Sequence, residues 1–180
     1  GQHNVMNALA ASAMALAAGA SFDAIVSGLH HARPVAGRQV MMQLGNQAIL
    51  IDDSYNANPG SVTAAIDALV TACALDKKSS ALVLGDMAEL GGAAEAMHYQ
   101  IGMYAKSRGI QQLFACGALS LATCNGFGEG AQYFLTQQAL IESLVQNVSS
   151  EQRLLVKGSR SSQMDKVVNK LVTTFSLKET

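Results

Sequence analysis

Asp52 and Asp53 stand side by side at the end of the apolar run "AILI", and Tyr55, Asn56, Asn58 and Pro59 follow within "IDDSYNANPGS". A carboxylate at a strand end can accept hydrogen bonds from ribose hydroxyls or help to hold a metal ion, and an aromatic ring beside amides can frame a purine. A plainer reading covers part of the stretch. Asn58, preceding Pro59, is pushed towards extended geometry, and Pro59 suits the first turn of a helix, so Asn58 is a natural N-cap. A strand-to-helix turn therefore accounts for Asn58, Pro59 and Gly60, but not for Asp52, Asp53, Tyr55 and Asn56.

A second stretch, "VKGSRSSQMD", sets Lys157, Ser159 and Arg160 around Gly158 just ahead of a helical segment. Side-chain charge and backbone N–H groups could together hold an anion there, and a turn with solvated cations is the alternative. It is not a Walker A loop. In "GDMAELG", Asp86 and Glu89 are three apart and share a face if the stretch is helical, where a solvated helix start is the default. His98 falls inside a predicted helix as a packed or surface residue. His30 and His31 end another helix, where the dipole favours a cation, so no chemistry is assigned to them. The methionines are core filler. In "GQHNVMNALAA", Asn4 and Asn7 lie one turn apart on one helical face, either towards a polar partner or towards solvent.

Residues 3–18 and 22–31 are predicted to be two helices, with Gly19 as the stop between them and Ser21 as the second N-cap. "ARPVAGR" then reads as a linker, which places a boundary within residues 32–38 and two domains at 1–34 and 35–180. Beyond it, "QVMMQL" and "QAILID" are predicted to form a hairpin through Gly45 and Asn46, followed by strands at "SALVLG", "QLFACG", "AQYFL" and "RLLVKG". Helical stretches occupy 60–75, 93–108, 118–125, 137–147 and 162–175. This alternation predicts an α/β fold, a mostly parallel sheet covered by helices on both faces. Polar, glycine-bearing loops follow the strands ending near residues 51, 84, 115 and 156, and the carboxyl edge of such a sheet is where ligands bind.

Composition excludes some classes. The 180 residues are 49% hydrophobic with a net charge of −1, and no Lys/Arg cluster marks a nucleic-acid or anionic-membrane surface. Three cysteines without paired or metal-type spacing read as reduced thiols of a cytoplasmic protein, with no structural disulfide expected. "ALAASAMALAAGA" is too short to span a bilayer and is expected to be a packed helix. The chain begins at Gly1 and runs directly into helical sequence, so it is expected to be a piece of something longer.

Together, "GQHNVMNALAA", "RPVAGR", "IDDSYNANPGS", "LVLGDMAELG" with His98 following, and "LLVKGSRSSQMD" resemble the Mur ligase family across essentially the whole chain. The resemblance implies that residues 1–34 are a helical remnant of the family's central ATP-binding domain and that 35–180 are its C-terminal Rossmann-like domain. It implies an ATP- and Mg²⁺-dependent amide ligation in peptidoglycan precursor synthesis, joining D-alanyl-D-alanine to UDP-N-acetylmuramoyl-tripeptide through an acyl phosphate. Position by position, Asn4 and Asn7 match asparagines near the nucleotide, Arg38 an arginine reaching the ATP phosphates, and Asp53 the acid that holds the ribose. Tyr55, Asn56 and Asn58 fall beside the adenine, and Lys157, Ser159 and Arg160 line the loop that handles the dipeptide or tripeptide.

No "GxxGKT" phosphate loop occurs in the chain, and the metal ligands and uridine-nucleotide domain are expected in N-terminal and central domains supplied in cis. The isolated piece is therefore expected to fold, to bind ATP weakly if at all, and not to ligate, with residues near 32–38 acting as a hinge in the full enzyme. The rival reading is a stand-alone Rossmann-like nucleotide-binding module. It wants a G-x-G-x-x-G after the first parallel strand, and "DDSYNANPGS" is not one. A non-catalytic interaction domain leaves the polar loops unexplained.

Overall fold

The structure, a computed structural model, describes residues 2–32 and 35–176, and of Gln2, His3 and Asn4 the backbone alone. Arg33 and Pro34 of the predicted linker lie outside the described residues. The chain divides into two compact units, Gly1–Pro34 and Val35–Thr180.

In the first unit, α1 (Gln2–Ala17) and α2 (Phe22–His31) form where helical composition predicts them. Gly19, at φ 90°, closes α1. Its N–H donates to Leu16 O and that of Ala20 donates to Ala15 O, the paired bonds of a Schellman motif. Ser21 Oγ caps α2 by accepting from Ala24 N at 3.2 Å. The close packing expected of the alanine-rich helix is not what α1 shows: Val5, Met6, Leu9, Met14 and Leu16 are all more than half exposed.

The second unit is built on a six-stranded sheet. Its strands are β1 (Val40–Gln43), β2 (Ile49–Asp53), β3 (Ser79–Gly85), β4 (Gln112–Cys116), β5 (Ala131–Phe134) and β6 (Gln152–Lys157), in the order β1-β2-β6-β3-β4-β5. Only β1 is antiparallel, pairing Val40 with Asp52 and Gln43 with Ile49. The hairpin turn is closed by Leu44 N donating to Ala48 O at 2.9 Å, with Gln47 at φ 70°. The remaining helices are α3 (Pro59–Asp76), α4 (Ala94–Ser107), α5 (Ser120–Phe127), α6 (Gln137–Asn147) and α7 (Asp165–Ser176).

Alternation along each strand divides the core in two. Leu50, Val83, Phe114, Leu154 and Val156 point to one face, where Leu140 and Leu144 of α6 and Val167 and Leu171 of α7 cover them. Leu82, Leu84, Leu113, Ala115 and Leu155 point to the other, against Ile66 and Leu69 of α3, Ile101 of α4 and Phe127 of α5. With both faces covered, the central strands become near-continuous apolar runs, as parallel strands must. The split follows from crossover handedness. Connections running outward from β2 to β5 place α3, α4 and α5 on one face, and the return from β5 to β6 places α6 on the other. This is the doubly wound α/β architecture that the sequence predicts.

Two local expectations change. "GDMAELG" is not helical, and Glu89 sits at φ 63°, so Asp86 and Glu89 share no helix face. The segment expected to be helical from 162 instead makes a 3₁₀ turn at Arg160–Ser162, passes through Gln163 at φ 49°, and begins α7 at Asp165. Among the described residues no helix is long and apolar enough to cross a membrane.

Candidate functional site

Because β6 inserts between β2 and β3, three loops far apart in sequence leave the sheet side by side. The register pairs Asp53 with Lys157, and Lys157 with Leu84. Strand order reverses here, so this is the topological switch point at which a doubly wound sheet opens a crevice.

Asp53 is the last residue of β2 and Lys157 the last of β6. Lys157 Nζ donates to Asp53 Oδ2 at 2.6 Å and to the Asn56 carbonyl O at 2.9 Å. The two residues are only 8% and 3% exposed, so each charge depends on the other. Lys157 thus ties the β2 loop to β6 and is not a free cation of the following turn. Asp52 turns the chain after the strand, its Oδ1 accepting from both the N–H and the hydroxyl of Ser54.

Tyr55 is held from the linker side. Its N–H donates to Gly37 O at 2.9 Å, and a Cβ on Gly37, which has φ 73°, would lie 2.9 Å from that nitrogen. Glycine is required both by the backbone conformation and by the approach. The Tyr55 ring is 42% exposed, and the Arg38 guanidinium lies 4.4 Å from its centre. The guanidinium of Arg160 lies 5.9 Å from the same centre. Exposed contacts of this kind contribute about 0.5–1 kcal/mol, enough to orient a side chain.

The amides divide. Asn56 Oδ1 accepts from Ala57 N, and Asn56 is otherwise exposed beside Tyr55. Asn58 caps α3 in a full capping box with Ser61: its Oδ1 accepts from Ser61 N at 2.8 Å, and its own N–H donates to Ser61 Oγ at 3.0 Å. The turn reading is therefore realised at Asn58 and Pro59. Asn7 is exposed on α1, and the side chain of Asn4 lies outside the described residues.

Ser159 is 2% exposed. Its N–H donates to Asp86 O at 2.9 Å, and its hydroxyl lies 3.0 Å from that of Ser161. A Cβ on Gly158 would lie 2.6 Å from Met164 Cγ, so only glycine lets this turn sit flat on the core. Arg160 follows as the exposed residue of a firmly seated turn.

Asp86 is a residue whose part the sequence did not reveal. Beyond its carbonyl bond to Ser159, its carboxylate accepts from Leu119 N at 3.2 Å and from Ser120 Oγ at 2.6 Å. One residue therefore joins the loops after β3, β4 and β6. It borders a cavity of about 300 Å³ lined also by Cys116, Gly117, Thr136, Gln137 and Ser162. The place of "GDMAELG" at a strand end was the available signal. His98 is fully buried, accepting at Nε2 from Met87 N at 3.0 Å, with Nδ1 2.8 Å from Ala94 O. That arrangement fixes the Nδ1–H tautomer and makes His98 a structural group. Burial, with Asp86 nearby, pushes the Cys116 thiol up, which removes it as a nucleophile. Among the described residues no group of three or more His, Cys, Asp or Glu side chains is placed to hold a metal ion. The carboxylate of Asp53, the exposed ring of Tyr55 and the guanidinium of Arg38 are groups of the kind that can meet a ribose, a base and phosphates.

The chain is similar in sequence and fold to known proteins. The family described as Mur ligase, glutamate ligase domain, matches residues 37–160. The UDP-N-acetylmuramoyl-tripeptide–D-alanyl-D-alanine ligase of Escherichia coli strain K12 is 43% identical over 95% of this chain, which spans 37% of that protein's length. The crystal structure of MurF from Acinetobacter baumannii superposes with a TM-score of 0.86 at 32% identity, covering 96% of this chain and 38% of that one. The MurF ligase from Thermotoga maritima in complex with ADP shares the fold, with a TM-score of 0.74 at 18% identity over 92% of this chain and 37% of that one. With the family match extending over most of its length and through the Asp53–Lys157 crevice, the chain belongs to the Mur ligase family.

Proposed function

We propose that this chain is the C-terminal part of an ATP-dependent ligase that adds D-alanyl-D-alanine to UDP-N-acetylmuramoyl-tripeptide in peptidoglycan precursor synthesis. One observation carries the reading: a buried Asp53 held by Lys157 stands two residues before an exposed Tyr55 that bears Arg38, in a chain 43% identical to the Escherichia coli ligase of that name. Residues 1–34 belong to the end of the central ATP-binding domain and 35–180 to the C-terminal domain. The exposed apolar side chains of α1 support the first assignment, since such a helix fits a larger core.

In this reading Asp53 accepts hydrogen bonds from the ribose hydroxyls, with Lys157 fixing its orientation. Tyr55 and Asn56 border the adenine, and Asn58 holds the start of α3 that frames it. Arg38 meets the phosphates, Asn4 and Asn7 are assigned to the nucleotide as well, and the turn with Ser159 and Arg160 borders the crevice. ATP transfers its terminal phosphoryl group to the tripeptide carboxylate, giving ADP and an acyl phosphate. The amine of D-alanyl-D-alanine then attacks the acyl carbon, loses a proton and expels inorganic phosphate. Mg²⁺, when bound, neutralises charge on the transferring phosphoryl group through ligands outside this chain. The enzyme works in the cytoplasm, which the three free, buried cysteines fit.

Phosphate release is the test. The full-length protein is expected to release phosphate only when ATP, UDP-N-acetylmuramoyl-tripeptide and D-alanyl-D-alanine are all present, and the isolated 180 residues to release none. Release by the full-length protein without the dipeptide would overturn the ligase reading, and turnover by the isolated piece would overturn its dependence on the other domains.

A further inference from the structure

Tyr55 gathers two guanidinium groups, not one. Arg38 comes from the segment before β1 and Arg160 from the turn after β6, and their Cζ atoms lie 4.4 and 5.9 Å from the centre of the same exposed ring. Neither charge is closely paired. Arg160 Nη1 stands 4.0 Å from Asp165 Oδ2, with both side chains open to solvent at 70% and 45%. Among the described residues Arg38 has no carboxylate within ion-pair distance. The acid nearest in sequence to Tyr55 that faces the crevice, Asp53, is committed to Lys157. The backbone beneath Arg160 is anchored through Ser159 N–H to Asp86 O, so the guanidinium is presented by a fixed turn.

Two like charges brought to one ring repel each other and favour an anion that both can bind. The chemistry of the candidate ligands separates them. D-Alanyl-D-alanine is a zwitterion, and a pair of cations that attracts its carboxylate repels its ammonium. A nucleoside polyphosphate carries only negative charge, and guanidinium forks match phosphate oxygens two at a time. We propose that Arg160 binds the polyphosphate of the nucleotide jointly with Arg38, with the Tyr55 ring as the platform that holds both guanidinium groups, and that it is not a contact for the dipeptide. The proposal rests on the reading that this chain serves an ATP-dependent ligase.

The experiment compares wild type, Arg160→Gln and Arg160→Lys in the full-length enzyme, with separate KM values for ATP, D-alanyl-D-alanine and the UDP-linked tripeptide. Arg160→Gln is expected to raise KM for ATP about tenfold, the effect of one charge-assisted phosphate contact, and to leave the dipeptide KM unchanged. Arg160→Lys is expected to restore part of the loss, because the charge remains and the planar fork does not. The KM for ATP should also depend less on KCl concentration in Arg160→Gln, since one screened charge has gone. A rise in KM for the dipeptide or the tripeptide with that for ATP unchanged would overturn the proposal, as would no change in any of the three. Direct titration of ADP into the same proteins separates this inference from the ligase reading. Weaker ADP binding by Arg160→Gln supports it even if wild type fails to ligate, and equal binding overturns it even if wild type ligates. If Arg160→Gln does not fold, the KM pattern and ADP titration of Arg160→Lys decide.

Discussion

Lys157 and Asp53 are the residues on which the site depends most directly. A buried ion pair is weak evidence of net stabilisation, because desolvating both groups offsets much of their attraction, but removing one partner strands the other. Lys157→Met is therefore expected to lower stability by about 3 kcal/mol in urea denaturation. Pairing it with Asp53→Leu should recover part of that loss, since no charge is then left buried. A single-variant loss below about 0.5 kcal/mol would mean that the pair is solvated and does not hold the β2 loop. The same contact explains why Lys157 and Arg160, three residues apart and both cations, have different fates: one ends a buried strand and the other tips an exposed turn.

At the level of elements, α4 and α5 cross so closely that each needs a glycine. A methyl group on Gly102 would overlap the Thr123 carbonyl O, and one on Gly126 would overlap the Tyr99 carbonyl O. These are backbone atoms of the partner helix and cannot swing aside. Gly102→Ala should therefore cost about 1–3 kcal/mol by overpacking, despite the better helix propensity of alanine. Gly28→Ala, in α2 with open space around it, should cost nothing. Chemical denaturation of the two variants checks the contrast, and equal stabilities would show that the α4–α5 crossing can open without penalty. The crossing bears on the site because α5 begins at Ser120, whose hydroxyl Asp86 holds.

For the whole molecule, two cores on opposite faces of one sheet predict how its thiols behave. Cys73 on α3 and Cys124 on α5 lie in the same core, and burial pushes both thiols up to about 11. Cys116, at the end of β4, is raised for the same reason. A raised pKa keeps each thiol protonated through the neutral range, and only the thiolate reacts. The native protein is expected to resist Ellman's reagent at pH 7.5 and to titrate all three thiols once denatured. Rapid reaction of Cys73 or Cys124 in the native state would show that the α3–α4–α5 face opens readily. That face matters because α3 starts from the capping box that ends the loop after β2.

Much of this organisation was legible along the chain, because it is local. Alternating apolar runs and helical stretches specified a covered parallel sheet, since side-chain period and length depend only on neighbours in sequence. Asn58-Pro59 specified the cap of α3 for the same reason. Local rules failed where a residue answers to something distant. The turn at Asp86–Glu89 is tied to the loops after β4 and β6, and α7 starts late, behind a 3₁₀ turn at Arg160–Ser162 that follows Gly158. Strand order has no local signature: nothing near Lys157 says that β6 enters between β2 and β3. Only that insertion sets Lys157 against Asp53 and carries Arg160 to the ring that Arg38 already covers. The types of residue at the site were written in the sequence. Which of them are buried partners and which stay exposed was decided by the packing of the sheet, because burial and charge pairing belong to surfaces that meet only when the chain is folded.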